Sequence, residues 1–173
     1  DQIRNISNII TSFTKFSSKN NDINRFAINE PIEEALELID YLVKESGAEV
    51  DKKLQNDLFA VGSKKELTEI SLRIISNAID QFKREKTNNP KIFISSCFKE
   101  GFIHIFFEDN GGGIPEDILN VIFDPYTTTQ FKTQGRGLSL YFVKKSIDEI
   151  FKGSIVARNG EKGAIFEIKL PGT

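Results

Sequence analysis

The sequence predicts an α+β fold: a two-layer sandwich in which one mixed β-sheet carries about three helices on one face, preceded by a further helix. Apolar residues recur at helical spacing in several stretches and at period two in others. The clearest strands pair as hairpins, which does not fit the strand–helix alternation of a parallel sheet. A chain of 173 residues, 39% hydrophobic and 28% charged, can form one domain with a substantial core.

Helices are predicted from apolar stripes and from caps. Isoleucines and phenylalanines at three- and four-residue intervals indicate a helix over residues 1–18, and a polar linker follows at 19–24. Ser63 and Glu66 form a capping-box pattern, so a helix should run from Lys64 to about residue 84. The other expected helices are one capped by Asn29 or Glu30 and ended by Gly47, one at 116–121 and one at 137–150.

Strands are predicted most clearly by the segments KIFISSCF and FIHIFFED, which flank a short glycine-containing turn. Period-two alternation in the second segment places Ile103, Ile105, Phe107 and Asp109 on one face. The full set of expected strands is 25–28, 49–54, 58–61, 91–98, 102–109, 153–159 and 164–171.

Composition argues against several classes of function. A net charge of −2 and a pI of about 5.6 do not favour a nucleic-acid partner. The single cysteine, Cys97, excludes an internal disulfide and a cysteine-based zinc site. No apolar run approaches the roughly 20 residues of a membrane span, so we expect a cytoplasmic chain without membrane contact. The lack of methionine suggests a piece of a longer protein, and a membrane-bound parent stays open.

Five of the twelve glycines fall between positions 111 and 137, beginning in the segment EDNGGGIP at 108–115. Glycine costs backbone entropy, so this crowding needs a reason beyond turn formation, which is the alternative. Neither a P-loop pattern nor a dinucleotide-binding glycine pattern is present. Asp109 precedes these glycines, and an ionised carboxylate only accepts hydrogen bonds and would repel phosphate. It can accept from the exocyclic amine of a base such as adenine, which would lie against Gly111 and Gly113.

Phosphate groups need a different place. Gly135, Arg136 and Gly137 directly precede a predicted helix, and the amides and dipole of a helix N-terminus favour anions. Asn77 lies at the edge of its helix's apolar stripe, with Arg73 one turn before it. Its side-chain oxygen could join a Mg²⁺ shell made mostly of water and phosphate oxygens. The alternative for Asn77 is an ordinary surface position.

These segments, in this order, resemble the ATP-binding catalytic domain of sensor histidine kinases, a fold shared with gyrase, Hsp90 and MutL. LTEISLRIISNAID resembles the family's N box, EDNGGGIP its first glycine box and IFDPYTTT its Phe-x-Pro box. QGRGLSLYFVKKSIDEIFKGSI resembles the second glycine box, and GAIFEIKLP the closing strand. Residues 25–173 would be this domain, and residues 1–18 resemble the end of the family's second dimerisation helix.

The resemblance implies binding of ATP and Mg²⁺ and transfer of the γ-phosphate to a histidine on a dimerisation domain of the same protein. An aspartate of a response regulator would receive the phosphate next. Asn77 would hold Mg²⁺, Thr128 and Thr129 would belong to a lid, and no catalytic residue is assigned. The implied ATP-binding residues are Asn77, Asp80, Gln81, Asp109, Gly111, Gly113, Ile114, Thr128, Thr129, Gly135, Arg136, Gly137 and Leu138, with Arg73 as a further phosphate contact.

Four positions depart from the family's usual residues. Arg73 stands where many relatives have asparagine, Asp80 and Gln130 where many have lysine, and Ser139 where a third glycine is common. They motivate one alternative, a non-catalytic nucleotide-sensing or scaffolding domain. A gyrase- or MutL-type ATPase is a second alternative, disfavoured by the absence of a glutamate base. The third is a serine kinase of the same fold. The single histidine, His104, lies on a predicted strand, and we expect it to be structural.

Overall fold

The computed structural model describes residues 22–127 and 137–173. The predicted N-terminal helix and the first half of the linker, residues 19–21, lie outside the described residues. So do five residues singled out by the sequence: Thr128, Thr129, Gln130, Gly135 and Arg136.

The described residues form seven strands and four helices, with bounds close to those predicted. They are β1 (Asn24–Ala27), α1 (Asn29–Ser46), β2 (Glu49–Leu54), β3 (Phe59–Gly62), α2 (Lys64–Glu85), β4 (Lys91–Lys99), β5 (Phe102–Asp109), α3 (Glu116–Leu119), α4 (Ser139–Ile150), β6 (Ser154–Asn159) and β7 (Ala164–Pro171).

The strands form a mixed five-stranded sheet in the order β2-β4-β5-β7-β6, with helices on one face. Strand β2 runs parallel to β4, and the other neighbours are antiparallel. This confirms the predicted α+β class. Strands β1 and β3 pair separately as a two-stranded antiparallel sheet, which the sequence reading did not separate from the main one. The reason is that period-two spacing identifies a strand and its faces but not its partner.

Helix α2 begins as predicted, because the Ser63 hydroxyl accepts a hydrogen bond from the Glu66 N–H at 3.3 Å. Its apolar stripe is almost fully buried, with Leu67 and Ile79 at 0% exposure. Each such side chain contributes about 1.5–3 kcal/mol by leaving water. The helix is therefore a rigid element, and it carries Arg73, Asn77, Asp80 and Gln81.

Other helix ends differ from the prediction. Helix α1 includes Asn29, and Ile28, which occupies its N-cap position, forms no side-chain cap. Helix α4 begins at Ser139, because Gly137 has φ of +63°, a left-handed conformation outside the α-helical region. Helix α3 ends at Leu119 after a single turn. Among the described residues, no helix combines the length and the hydropathy that a bilayer crossing requires.

Strand β5 lies in the middle of the sheet, between β4 and β7. Its inward-facing residues Ile103, Ile105 and Phe107 are buried under the helices. Asp109 continues the same alternation as the last residue of the strand, so it is directed towards the helix layer. The fold thus places one carboxylate where a central strand ends beside α2.

Candidate functional site

Asp109 is held by backbone amides from two different segments. Its Oδ1 accepts hydrogen bonds from the Gly111 N–H at 2.8 Å and from the Ala164 N–H at 3.3 Å. The described residues provide no hydrogen-bond partner for Oδ2. The carboxyl group is therefore fixed through one oxygen, while the other can accept a hydrogen bond from a ligand.

Burial raises the pKa of Asp109 above its usual value, and the hydrogen bonds from the Gly111 and Ala164 amides partly oppose that rise. A buried carboxylate is stabilised by one more hydrogen-bond donor, because burial has removed water that would otherwise solvate it. A ligand amine is a donor of this kind.

Two glycines allow this close arrangement. A Cβ on Gly163 would lie 2.1 Å from the Asp109 carbonyl oxygen and 2.5 Å from its Oδ1. A Cβ on Gly111 would lie 2.8 Å from Gln81 Cγ and 3.2 Å from Asp109 Oδ1. Sequence reasoning identified Gly111 but treated Gly163 only as part of a turn. The signal available for Gly163 was its position directly before the closing strand.

The loop after Asp109 is tied down at two further points. Gln81 Nε2 donates to the Gly111 carbonyl oxygen at 3.0 Å, which links the loop to α2. The Asn159 side chain pairs with the Ile114 backbone: its Oδ1 accepts from the Ile114 N–H at 2.7 Å, and its Nδ2 donates to the Ile114 oxygen at 2.7 Å. Gly113 has φ of +83°, and a Cβ there would lie 2.8 Å from Asn159 Oδ1. Asn159 was missed because it was assigned to the end of the strand 153–159, where no pattern indicates a contact with a distant loop.

We predict that Asn159→Ala weakens nucleotide binding roughly fivefold while costing about 1 kcal/mol of folding stability, because two hydrogen bonds at a solvent-exposed position are lost. Calorimetric titration and urea unfolding measure the two effects. Asn88→Ala, at an exposed asparagine in the loop after α2, is the matched control and should change neither quantity. Unchanged affinity in Asn159→Ala would show that the loop does not depend on this contact.

A small cleft with mainly apolar walls opens beside Asp109. The cleft is too small to enclose a ring, but apolar walls beside polar groups can contact the edge or one face of a heteroaromatic ring. The lining residues are Ile74, Ile75, Ala78, Ile92, Phe107, Glu108, Asp109 and Phe166. The cleft thus lies between α2 and the sheet, next to Asp109.

Asn77 lies one helical turn before Gln81 on α2, so the two side chains share a face. Asn77 is half-buried, and its side chain forms no hydrogen bond with the described residues. Within those residues, no group of three His, Cys, Asp or Glu side chains could hold a metal alone. A free amide oxygen without a protein cage fits Mg²⁺ that takes its other ligands from phosphate and water.

Asp80 lies three residues after Asn77 on α2, and burial raises the pKa of its carboxyl despite the nearby charges of Lys83 and Arg84. Gly137 packs against residues 126–127, where a Cβ on it would lie 2.6 Å from the Thr127 carbonyl oxygen. Leu138 occupies the N-cap position of α4 and forms no side-chain cap. The amides at this helix start are therefore not used by a cap of their own.

Two residues from the sequence reading have partners that the sequence did not reveal. The Arg73 guanidinium bonds to Glu69 and lies 3.5 Å from the Ser139 hydroxyl, so it faces the start of α4. His104 Nδ1 lies 2.8 Å from Glu167 Oε1, on the face of β5 opposite to Asp109. The contact with Glu167 agrees with the structural role expected for His104.

The chain matches known proteins along most of its length. The family described as histidine kinase-, DNA gyrase B- and HSP90-like ATPase matches residues 62–173. The two-component sensor PprA of Pseudomonas aeruginosa is 29% identical over 64% of this chain and 12% of its own length. Sporulation kinase A of Bacillus subtilis is 31% identical over 68% of this chain and 18% of its own length. The chain thus spans less than a fifth of these relatives.

Among solved structures, the catalytic domain of histidine kinase ThkA superimposes with a TM-score of 0.75 and 26% identity. The superposition covers 87% of this chain and 95% of that domain. The family match, the fold and the order of the sequence boxes agree. The chain therefore belongs to the histidine kinase-, DNA gyrase B- and HSP90-like ATPase family and is a catalytic domain of the sensor histidine kinase type.

Proposed function

We propose that this chain binds ATP with Mg²⁺ and donates the γ-phosphate to a histidine on a dimerisation domain of the same protein. One observation supports this most strongly: a carboxylate beside a small apolar cleft is held by two backbone amides through one oxygen, which leaves the other oxygen for a ligand. The names of the relatives, a two-component sensor and a sporulation kinase, support the same class of reaction.

In this proposal the adenine ring lies at the mouth of the cleft, and its exocyclic amine donates to Asp109 Oδ2. Gly111 and Gly113 allow the backbone to approach the ring, and Gln81 and Ile114 fix that backbone through the contacts described above. The base is recognised by polar contacts at one edge and by apolar contacts on its faces.

The phosphates would meet the start of α4. The amides of Gly137 and Leu138, together with Gly135 and Arg136, would bind them, since a helix N-terminus favours anions. Asn77 would contribute one oxygen to Mg²⁺, which neutralises phosphate charge when bound. Asp80 would stand beside this group, and Thr128 and Thr129 would belong to a lid over the nucleotide.

The acceptor would lie outside the catalytic domain, because His104 is on a sheet strand and contacts Glu167. Residues 1–18 would be the end of a dimerisation helix, 19–24 a linker and 25–173 the catalytic domain. A response-regulator aspartate would take the phosphate from the histidine, and the reaction would occur in the cytoplasm. Catalysis of this kind depends mainly on positioning and charge neutralisation.

The test is phosphotransfer in trans from γ-labelled ATP to the dimerisation hairpin of the same protein. The proposal predicts a labelled hairpin whose phosphate is lost in acid and retained in base, as for phosphohistidine. An acid-stable product would indicate a serine kinase, and steady phosphate release without labelling would indicate an ATPase. Nucleotide binding without either reaction would favour the non-catalytic alternative.

We predict that Asn77→Ala weakens Mg²⁺-dependent binding of a non-hydrolysable ATP analogue by about tenfold or more, the loss typical of a disturbed metal site. Binding measured in EDTA should change little, because the metal is then absent. Calorimetric titration with and without Mg²⁺ separates the two cases, and Asn88→Ala again serves as the control. Equal losses with and without Mg²⁺ would rule out the metal role of Asn77.

A further inference from the structure

Helices α2 and α4 meet along a seam of polar residues: Glu66, Glu69 and Arg73 on α2, and Ser139 and Ser146 on α4. Glu69 and Arg73 form an ion pair with side chains only 7% and 12% exposed. The Arg73 Nε donates to Glu69 Oε1 at 3.1 Å, and a second guanidinium nitrogen contacts the same oxygen. The remaining terminal nitrogen lies 3.5 Å from Ser139 Oγ, at the long end of hydrogen-bond distances.

The other end of the seam is also polar. The Ser146 hydroxyl, two turns further along α4, lies close enough to the Glu66 carboxyl to oppose the rise that burial gives its pKa. Val143, between the two serines, and Ile147, directly after Ser146, are 1% and 0% exposed, so the helices are packed closely here. This packing and the polar contact at Ser139 favour one register of the two helices, since a slip would separate Ser139 from Arg73.

Ser139 occupies the point where this register matters most. It is the first residue of α4 and follows Gly137 and Leu138, whose amides are proposed to bind phosphate. Leu138 gives the helix no side-chain cap. Among the described residues, the contact with Arg73 is the side-chain hydrogen bond that links Ser139 to α2. A glycine at position 139 would have no hydroxyl for Arg73 to reach.

We propose that Arg73 is a positioning residue: held by Glu69, it fixes Ser139 and thereby the start of α4 relative to Asn77, one turn along α2. This inference rests on the proposed function. Arg73 and Ser139, two of the residues that differ from the family's usual pattern, would then form one coupled pair. Arg73 then acts on the phosphates through the backbone that binds them and not by direct contact.

The test compares Ser139→Ala with the double variant Glu69→Gln/Arg73→Met, which removes the ion pair without leaving a buried charge alone. Affinities are measured for Mg²⁺–AMPPNP by calorimetry and for adenosine by NMR titration. Each variant should weaken AMPPNP binding about tenfold, the loss expected for one hydrogen bond to a charged group. Adenosine binding should stay unchanged, because the base site is not displaced.

Combining both sets of substitutions should add no further loss, because each breaks the same connection. Ser139→Thr, which retains a hydroxyl, should restore most of the AMPPNP affinity. Ser154→Ala, at an exposed serine on β6, is the matched control and should bind both ligands normally.

Three results would overturn the inference. Normal AMPPNP affinity in Ser139→Ala, with a loss in the ion-pair variant, would mean that Arg73 contacts phosphate directly. Equal losses for AMPPNP and adenosine would mean that the seam only stabilises the fold. Binding of neither ligand by the unmodified chain would instead refute the proposed function, and this inference with it.

Discussion

Asp109→Asn is expected to lower the affinity for an ATP analogue by at least roughly a hundredfold, the cost of opposing two donors in a buried site. The asparagine Oδ1 can still accept from the Gly111 and Ala164 amides. Its Nδ2 then replaces Oδ2 and faces the adenine amine, so a hydrogen bond is lost and two donors meet. The backbone cradle should survive, because the geometry of the side chain is retained.

Replacing adenine by hypoxanthine in the analogue tests the same role of Asp109 from the side of the ligand. Hypoxanthine presents a carbonyl oxygen where adenine presents its amine, so the unmodified chain should prefer the adenine analogue strongly. Asp109→Asn should lose or reverse that preference, because its Nδ2 can donate to the carbonyl. Asp51→Asn, at an exposed position on β2, is the matched control and should keep the adenine preference. An Asp109→Asn variant that still prefers adenine would contradict the assigned role.

The raised pKa of Asp109 gives the same residue a pH signature. Analogue affinity should fall as the pH drops through that pKa, because protonation removes the acceptor. The folded chain holds this proton to higher pH than the unfolded chain, so the contribution of Asp109 to stability falls as pH rises from its unfolded pKa through its folded pKa. Asp109→Asn should therefore raise the free energy of unfolding of the nucleotide-free chain at neutral pH, which urea unfolding measures.

Gly163→Ala is expected to cost about 3 kcal/mol of folding stability, at the upper end of the range for overpacking. The new methyl group would lie 2.1 Å from the Asp109 carbonyl oxygen, which belongs to a central strand and cannot move away without disturbing the sheet. The same displacement moves the Asp109 carboxyl group. Analogue affinity should therefore fall together with stability, as urea unfolding and calorimetry would show.

Gly101→Ala provides the matched glycine control. Gly101 lies in the turn between β4 and β5, at the opposite end of β5 from Asp109, with φ of +82° and open space around its Cβ position. Alanine there should destabilise the fold only by the roughly 1–2 kcal/mol of a left-handed backbone conformation. The affinity of Gly101→Ala for the ATP analogue should be unchanged. A Gly163→Ala chain that is no less stable than Gly101→Ala would show that the sheet accommodates the methyl group.

Features that depend on neighbouring residues in the chain could be predicted from the sequence. The capping residue Ser63 and the apolar stripe defined α2, and period-two alternation placed Asp109 on the buried face of β5. The site required the fold as well. Ala164 and Asp109 form a hydrogen bond although they are 55 residues apart in sequence, and Arg73 and Ser139 do so at a separation of 66. No local sequence pattern predicts either contact.

Glycine illustrates the same limit. The crowding of glycines after Asp109 drew attention to Gly111 and Gly113, because a run of glycines is conspicuous. Gly163 stands in an ordinary hairpin turn, and only the packing of β7 against β5 shows that its missing side chain makes room for Asp109. The separate pairing of β1 with β3 was missed for a similar reason, since the pattern of one strand does not predict which strand it pairs with.

Calorimetric titration of the unmodified chain with Mg²⁺–AMPPNP is the most direct test of nucleotide binding at this site. We expect saturable binding with one nucleotide per chain, weakened when Mg²⁺ is removed and weakened much more when hypoxanthine replaces adenine. No heat of binding at millimolar analogue would contradict it, because the carboxylate, the glycine-lined backbone and the cleft beside them would then form a site without its proposed ligand.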